Sequence, residues 1–285
     1  MLLLELLRGR AATWQLPDDL LVWLDGSQRM HDAHVTVLIQ TDPLGGVNTD
    51  HSPIADLTAE DISLPGAAAE AWRLLELSET ALATKCRQYC TESPPGPDAL
   101  LWASLTVTAS RSAAAANLLA TAATRNQPLG RIPAAPITGS AVPFRVAVGS
   151  PVDAHQVLLS HVNALIYALQ TGLGMYADND PALASVKTRL TEAARSRDNV
   201  AQTIRGLAAT PSPSPLSYQL PGAVEPMSEF TGTWRRMESR LLDGWGRVVA
   251  AEDEQRRDIA LTQLIAQSEL LDRLGTPLTH WPGWV

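Results

Sequence analysis

Six side chains in the C-terminal half are of types that could act together: His161, Tyr167, Arg195, Asp198, Tyr218 and Glu238. A histidine among carboxylates can hold or pass a proton. An arginine can neutralise a buried glutamate, and two tyrosine hydroxyls can close a small polar pocket. Glu238 lies between Trp234 and Trp245 on a helical pattern, so an inward orientation requires a cation such as Arg195 or Arg197. The plainer alternative makes Glu238 part of a solvated or boundary ion pair, and His161 a satisfied core histidine.

Metal chemistry is poorly provided for. A paired-metal centre in a bundle takes a carboxylate from each of two helices and Glu-x-x-His from each of the other two. Glu-x-x-His occurs nowhere in the sequence. Ser160 precedes His161, and the residues three beyond Asp198 and Asp258 are Ala201 and Leu261. Two hard cations need more neutralising oxygens than this, so no metal and no cofactor are expected. His31 and His34, three apart, offer a partial surface site at best. Cys86 and Cys90 share a helix face at a spacing poorly suited to a disulfide. Two half-buried thiols are expected there, with a redox or metal pair as the sharper alternative. Asp50 and His51 fall in a polar loop and read as solvated. Gly172 and Gly174 lie within a helical pattern with no preceding strand, which excludes a phosphate loop. No Gly-x-Ser-x-Gly elbow occurs. No catalytic residue is assigned.

Composition narrows the class. The chain has 285 residues, 45% hydrophobic and 18% charged, enough to bury a core. Its formal charge of -8 argues against a broad nucleic-acid surface. Two cysteines cannot make an all-cysteine zinc site. No run reaches the 18 or more apolar residues of a membrane span.

The elements that must position the six residues are helical. Residues 1–65 read as a mostly irregular arm, with HVTVLIQ (34–40) either a single strand or part of a buried helix. Residues 66–125 carry an apolar stripe, then a turn at Ser93-Pro94-Pro95-Gly96, then a second helix to about 123. They form a helical hairpin, and the side-chain-poor run 113–116 permits close approach of another helix. Residues 126–150 are a Pro/Gly connector, packed in extended form. Four helices follow within 151–285, at about 152–176, 181–208, 227–251 and 253–274.

Loop lengths set the topology. The first and second of these helices, and the third and fourth, are joined by very short turns and are antiparallel neighbours. The second and third are separated by residues 209–226, which contain five prolines. At about 3.1 Å per residue in polyproline form this strap reaches roughly 55 Å, more than the about 40 Å of the preceding helix. The expected fold is all-α: a ferritin-like four-helix bundle with one long crossover, plus an N-terminal helical hairpin and an irregular arm.

The same half resembles the actinobacterial ferritin-like family DUF4439 over about 151–285. The resemblance is carried by HVNALIYALQTGLG (161–174), EAARSRD (192–198), PSPLSYQLPGAVEP (213–226), WRRMESRLLDGWGRVVAA (234–251) and TPLTHWPGWV (276–285). It implies a fold and names no reaction. Many longer members resemble exported lipoproteins. The opening MLLLELLRGR has no positive residue before its leucines and is interrupted by Glu5, so a cytoplasmic chain is expected. An exported form with an upstream start is the alternative.

The apolar end, with Trp281 and Trp284, is expected to dock on its own bundle or in a homodimer partner. The leading functional expectation is a non-catalytic helical scaffold or protein-interaction protein, acting as a homo-oligomer or with a protein partner. The alternative is a small-molecule binder or enzyme using a polar pocket between helices. A metal-dependent oxidoreductase has only fold analogy behind it.

Overall fold

The computed structural model describes residues 2–38, 62–125, 127, 139–143, 147–177, 179–222 and 227–284. Eight helices occur among them: α1 (Leu2–Gly9), α2 (Asp18–Leu38), α3 (Ala68–Glu92), α4 (Pro97–Arg125), α5 (Pro151–Leu173), α6 (Pro181–Gly206), α7 (Met227–Ala251) and α8 (Glu254–Arg273). None of them is long and apolar enough to cross a membrane.

Side chains at the helix starts fix the C-terminal half. Ser150 Oγ accepts from Asp153 N, and Asp153 Oδ2 accepts from Ser150 N, a reciprocal cap at the start of α5. Asp180 caps α6 ahead of Pro181, and Asp253 caps α8. Each cap is worth about 1 kcal/mol. The Asp253 cap follows α7 so closely that α8 must fold straight back along it.

The crossover runs the length of the bundle. Gln156, near the start of α5, donates to Thr210 O at 2.7 Å and accepts from Ser212 N at 2.9 Å. Farther along α5, Tyr167 meets Tyr218 with ring centroids 5.9 Å apart. Gly222 then lies against Thr233 and Arg236 of α7. Helix α7 therefore begins beside the end of α5, where Phe230 packs on Gly172. A Cβ on Gly172 would come within 2.1 Å of that ring. The outcome is two antiparallel hairpins, α5/α6 and α7/α8, with α7 antiparallel to α5.

Helices α3 and α4 form the expected hairpin and lie on the α7/α8 side. Ala103 and Val107 of α4 join the bundle core around Leu158, Leu165, Phe230, Leu241 and Leu264. Arg111 of α4 reaches Asp272 at 2.6 Å, and Arg87 of α3 reaches Asp258 at 2.7 Å. Arg257 is 0% exposed and collects backbone carbonyls from two helix ends: Cys90, Thr91 and Ser93 at the end of α3, and Val249 and Glu252 at the end of α7. Helix C-termini leave such oxygens unpaired and favour a cation. Gly96 N adds a bond to Ala250 O at 2.8 Å.

The N-terminal segment holds more regular structure than an irregular arm suggests. Within 1–65, residues 2–9 and 18–38 are helical, and 39–61 lie outside the described residues. Leu4, Leu7, Leu20, Trp23 and Leu24 share a core with Trp72 of α3 and Ala115 and Ala116 of α4. Val37 belongs to a second core with Cys86, Leu101, Trp281 and Trp284, and that packing overrides the β preference of His34 to Leu38. The possible turn at 58–62 and most of the 126–150 connector lie outside the described residues.

The apolar C-terminal segment docks on its own chain. Leu278, Trp281 and Trp284 are buried. Ser104 Oγ donates to Pro282 O at 2.6 Å, and His34 Nε2 donates to His280 O at 2.7 Å. Gly246 of α7 makes room for the backbone at Gly283, and a Cβ there would sit 1.9 Å from Gly283 O.

Candidate functional site

Helices α6 and α8 do not zip together. The face that α6 turns toward α8 carries Glu192, Arg195, Ser196, Asn199 and Thr203, with no apolar ridge to bury. A cleft of about 570 Å³ remains between them. Leu241, Trp245 and Val248 of α7 form its apolar floor, and Ala260, Ala266 and Gln267 line the α8 wall.

One end of the cleft is a closed polar network. Glu238 is 0% exposed. Arg189 Nε and Nη2 donate to its two oxygens at 2.8 Å each. Trp234 Nε1 donates to Oε1 at 2.7 Å, and Gln267 Nε2 donates to Oε2 at 2.8 Å and to the Glu238 carbonyl at 3.0 Å. Such a carboxylate is fully satisfied, which is what makes a buried charge tolerable.

The other end is unfinished. At 1.5 Å per residue Glu252 lies about 21 Å farther along the same helical path. It is 1% exposed. Its Oε1 has no hydrogen-bond partner. His155 Nδ1 is 3.5 Å from that oxygen, but its proton goes to Pro151 O at 2.9 Å. Arg256 Nε stands 3.9 Å from Oε2 and is about half exposed.

The six residues singled out from sequence do not converge. Glu238 is inside, but its cation is Arg189 rather than Arg195 or Arg197. Helices α6 and α7 run parallel, and Arg189 and Glu238 both sit roughly two to three turns from their helix starts, whereas Arg195 lies beyond that level. Arg195 lines the cleft wall and is exposed. Asp198 is exposed and paired with Arg197 at 2.8 Å. Tyr167 and Tyr218 meet on the crossover side, and Tyr218 Oη is 3.1 Å from Ser214 Oγ. His161 sits on the α5/α7 seam beside Gly244, away from Glu238. Burial, together with the charges of Arg240 and Arg247, lowers its pKa, against a hydrogen bond with the Arg240 backbone.

The other candidates take structural partners. His31 and His34 are buried rather than on the surface. His31 Nε2 is 3.1 Å from Glu79 Oε1, and His34 is held by the tail. Cys86 and Cys90 are buried free thiols, each pushed up to about 12 by burial. A thiol in that state is a poor nucleophile.

Arg189, Gln267, His155 and Glu252 were not singled out from sequence. Helix register in a parallel α6/α7 pair points to Arg189. Glu252 heads an acidic trio that reads as a solvated turn, yet it directly follows the buried run Val248 to Ala251. The donor set does not fit a paired-metal centre, because Arg189, Trp234 and Gln267 occupy the Glu238 oxygens. Among the described residues no three His, Cys, Asp or Glu are placed to hold a metal ion.

Fold and cleft define a helical-bundle protein with an interhelical cavity. Residues 154–285 match the family described as a domain of unknown function (DUF4439). No curated protein and no solved structure matches the chain.

Proposed function

We propose that the bundle is a small-molecule binding module whose ligand lies in the α6/α8 cleft. The observation that carries this reading is the cleft itself: about 570 Å³, apolar at its floor, with a few fixed polar groups at its two ends. Ligand sites have this size and make-up. Two hairpins joined by one bundle-length crossover support placing the fold with ferritin-like bundles, and interhelical sites in bundles are a common place for ligands.

The scaffold reading has less to rest on. Exposed large apolar side chains among the described residues are spread over α2, α3, α4, α8 and the connecting segments, and Ile259 borders the cleft.

A ligand-observed NMR screen of a mixed fragment set tests the reading. The control is Ala266→Trp, which places an indole in the cleft from an exposed position. Hits that bind the native chain and are lost in Ala266→Trp are expected. No hits, or hits indifferent to the substitution, overturn it.

A further inference from the structure

From the unfinished end of the cleft we infer that the ligand is a hydrophobic amine, an ammonium group on an apolar body; this rests on the cleft being the binding site. Glu252 is buried, lines the cleft and presents an oxygen with no hydrogen-bond donor. The neighbours do not complete it. The His155 Nδ1 proton is committed to Pro151 O. Arg257 donates to the Glu252 backbone carbonyl, and its charge acts on the carboxylate without a hydrogen bond to Oε1. Arg256 is half exposed and also lies 3.7 Å from Asp253. A buried carboxylate left this way is costly unless something brings it a proton donor, and a cation serves best.

The local field has the same sign. Glu252 follows the last residue of α7, where the helix dipole is negative and favours a positive group. Arg257 already takes carbonyls of that helix end and Arg256 stands 3.9 Å from Oε2, so the field is partly offset there, while Oε1 still has no donor. Arg189 is neutralised by Glu238 at the far end. Arg195 and Arg273 are exposed on the rim. An anionic head would therefore meet a carboxylate at the floor, and a cationic head would meet its counter-charge.

Shape sets the rest of the ligand. Val248 and Trp245 precede Glu252 by one and two turns on the same face, so a body of about 10 Å lies along them. Trp245 adds aromatic surface to the cleft lining.

Three probes of equal chain length separate the head groups: n-octylamine, 1-octanol and octanoate. Each is titrated into the full chain at pH 7 by isothermal calorimetry. A charge-assisted bond at a desolvated carboxylate should make octylamine about tenfold or more tighter than octanol, with octanoate weakest. Glu252→Gln, nearly isosteric, should reduce the octylamine preference over octanol to about threefold or less, a loss of the charge-assisted part alone. Octanol or octanoate binding the native chain as well as octylamine overturns the amine assignment while the cleft reading stands. A preference that survives Glu252→Gln does the same. If no probe binds the native chain, or binding persists in Ala266→Trp, the cleft reading falls and this assignment with it. The native-chain comparison decides the matter even where a variant fails to fold.

Discussion

The guanidinium of Arg189 grips the carboxylate of Glu238 in a two-point fork, with both N···O distances at 2.8 Å, inside a bundle where Glu238 has no solvent contact. Trp234 and Gln267 fill the remaining acceptor sites. Because the pair is desolvated, its members depend on each other more than they add to stability.

Removing one partner should therefore cost far more than removing both. Arg189→Met is expected to lose about 3–5 kcal/mol by leaving a buried charge. The double variant Arg189→Met, Glu238→Leu should recover most of that loss. Urea unfolding of the native chain, both single variants and the double variant gives the coupling directly. Additive losses would show that the pair is not coupled.

The close pass of the tail over α7 supplies a second expectation. Gly246→Ala places a methyl group 1.9 Å from Gly283 O, a backbone atom that cannot swing aside, so the tail must lift. Trp281 and Trp284 then lose burial worth roughly 2–3 kcal/mol each. Red-shifted tryptophan emission and faster proteolysis of the tail should follow. Gly232→Ala is the control: in the same helix, it meets nothing closer than 3.6 Å and should stabilise by about 1 kcal/mol.

His34 makes the tail contact sensitive to acid. Burial pushes its pKa down to about 4, against the hydrogen bond to His280, which acts the other way. The unfolded chain takes up a proton near 6.5 that the folded chain refuses until about 4. Stability from this group is thus present above about 6.5 and lost as pH falls toward 4. Thermal midpoints measured from pH 7 to pH 4 should fall more steeply in the native chain than in His34→Gln, whose amide can still donate to His280 O. Parallel slopes would overturn this account.

Much of the bundle was legible because it rests on local signals. The apolar stripes, the short turns and the length of the strap can each be read from a local stretch of sequence. The α3/α4 hairpin could be read for the same reason. At 34–38 the β-branched residues left a strand and a buried helix both open, and tertiary burial decides for the helix. The candidate site was half legible. Glu238 stood out by its position between tryptophans, but choosing Arg189 needed the register of two helices joined by a strap. Glu252 and Arg257 were hidden for another reason. Each lies in a run of charges that looks solvated, and only the docking of α3 and α4 removes water from that turn.

The contact between His34 and His280 spans 246 positions of sequence. During synthesis α2 and α4 leave the ribosome well before residues 280–284 are made. Until then the surface around Val37, Leu101 and Leu105, which Trp281 and Trp284 later cover, stands open to water. Closure of so distant a pair is slow, and an uncovered apolar seam invites association with other nascent chains. Sealing of this seam therefore waits until residues 280–284 have left the ribosome.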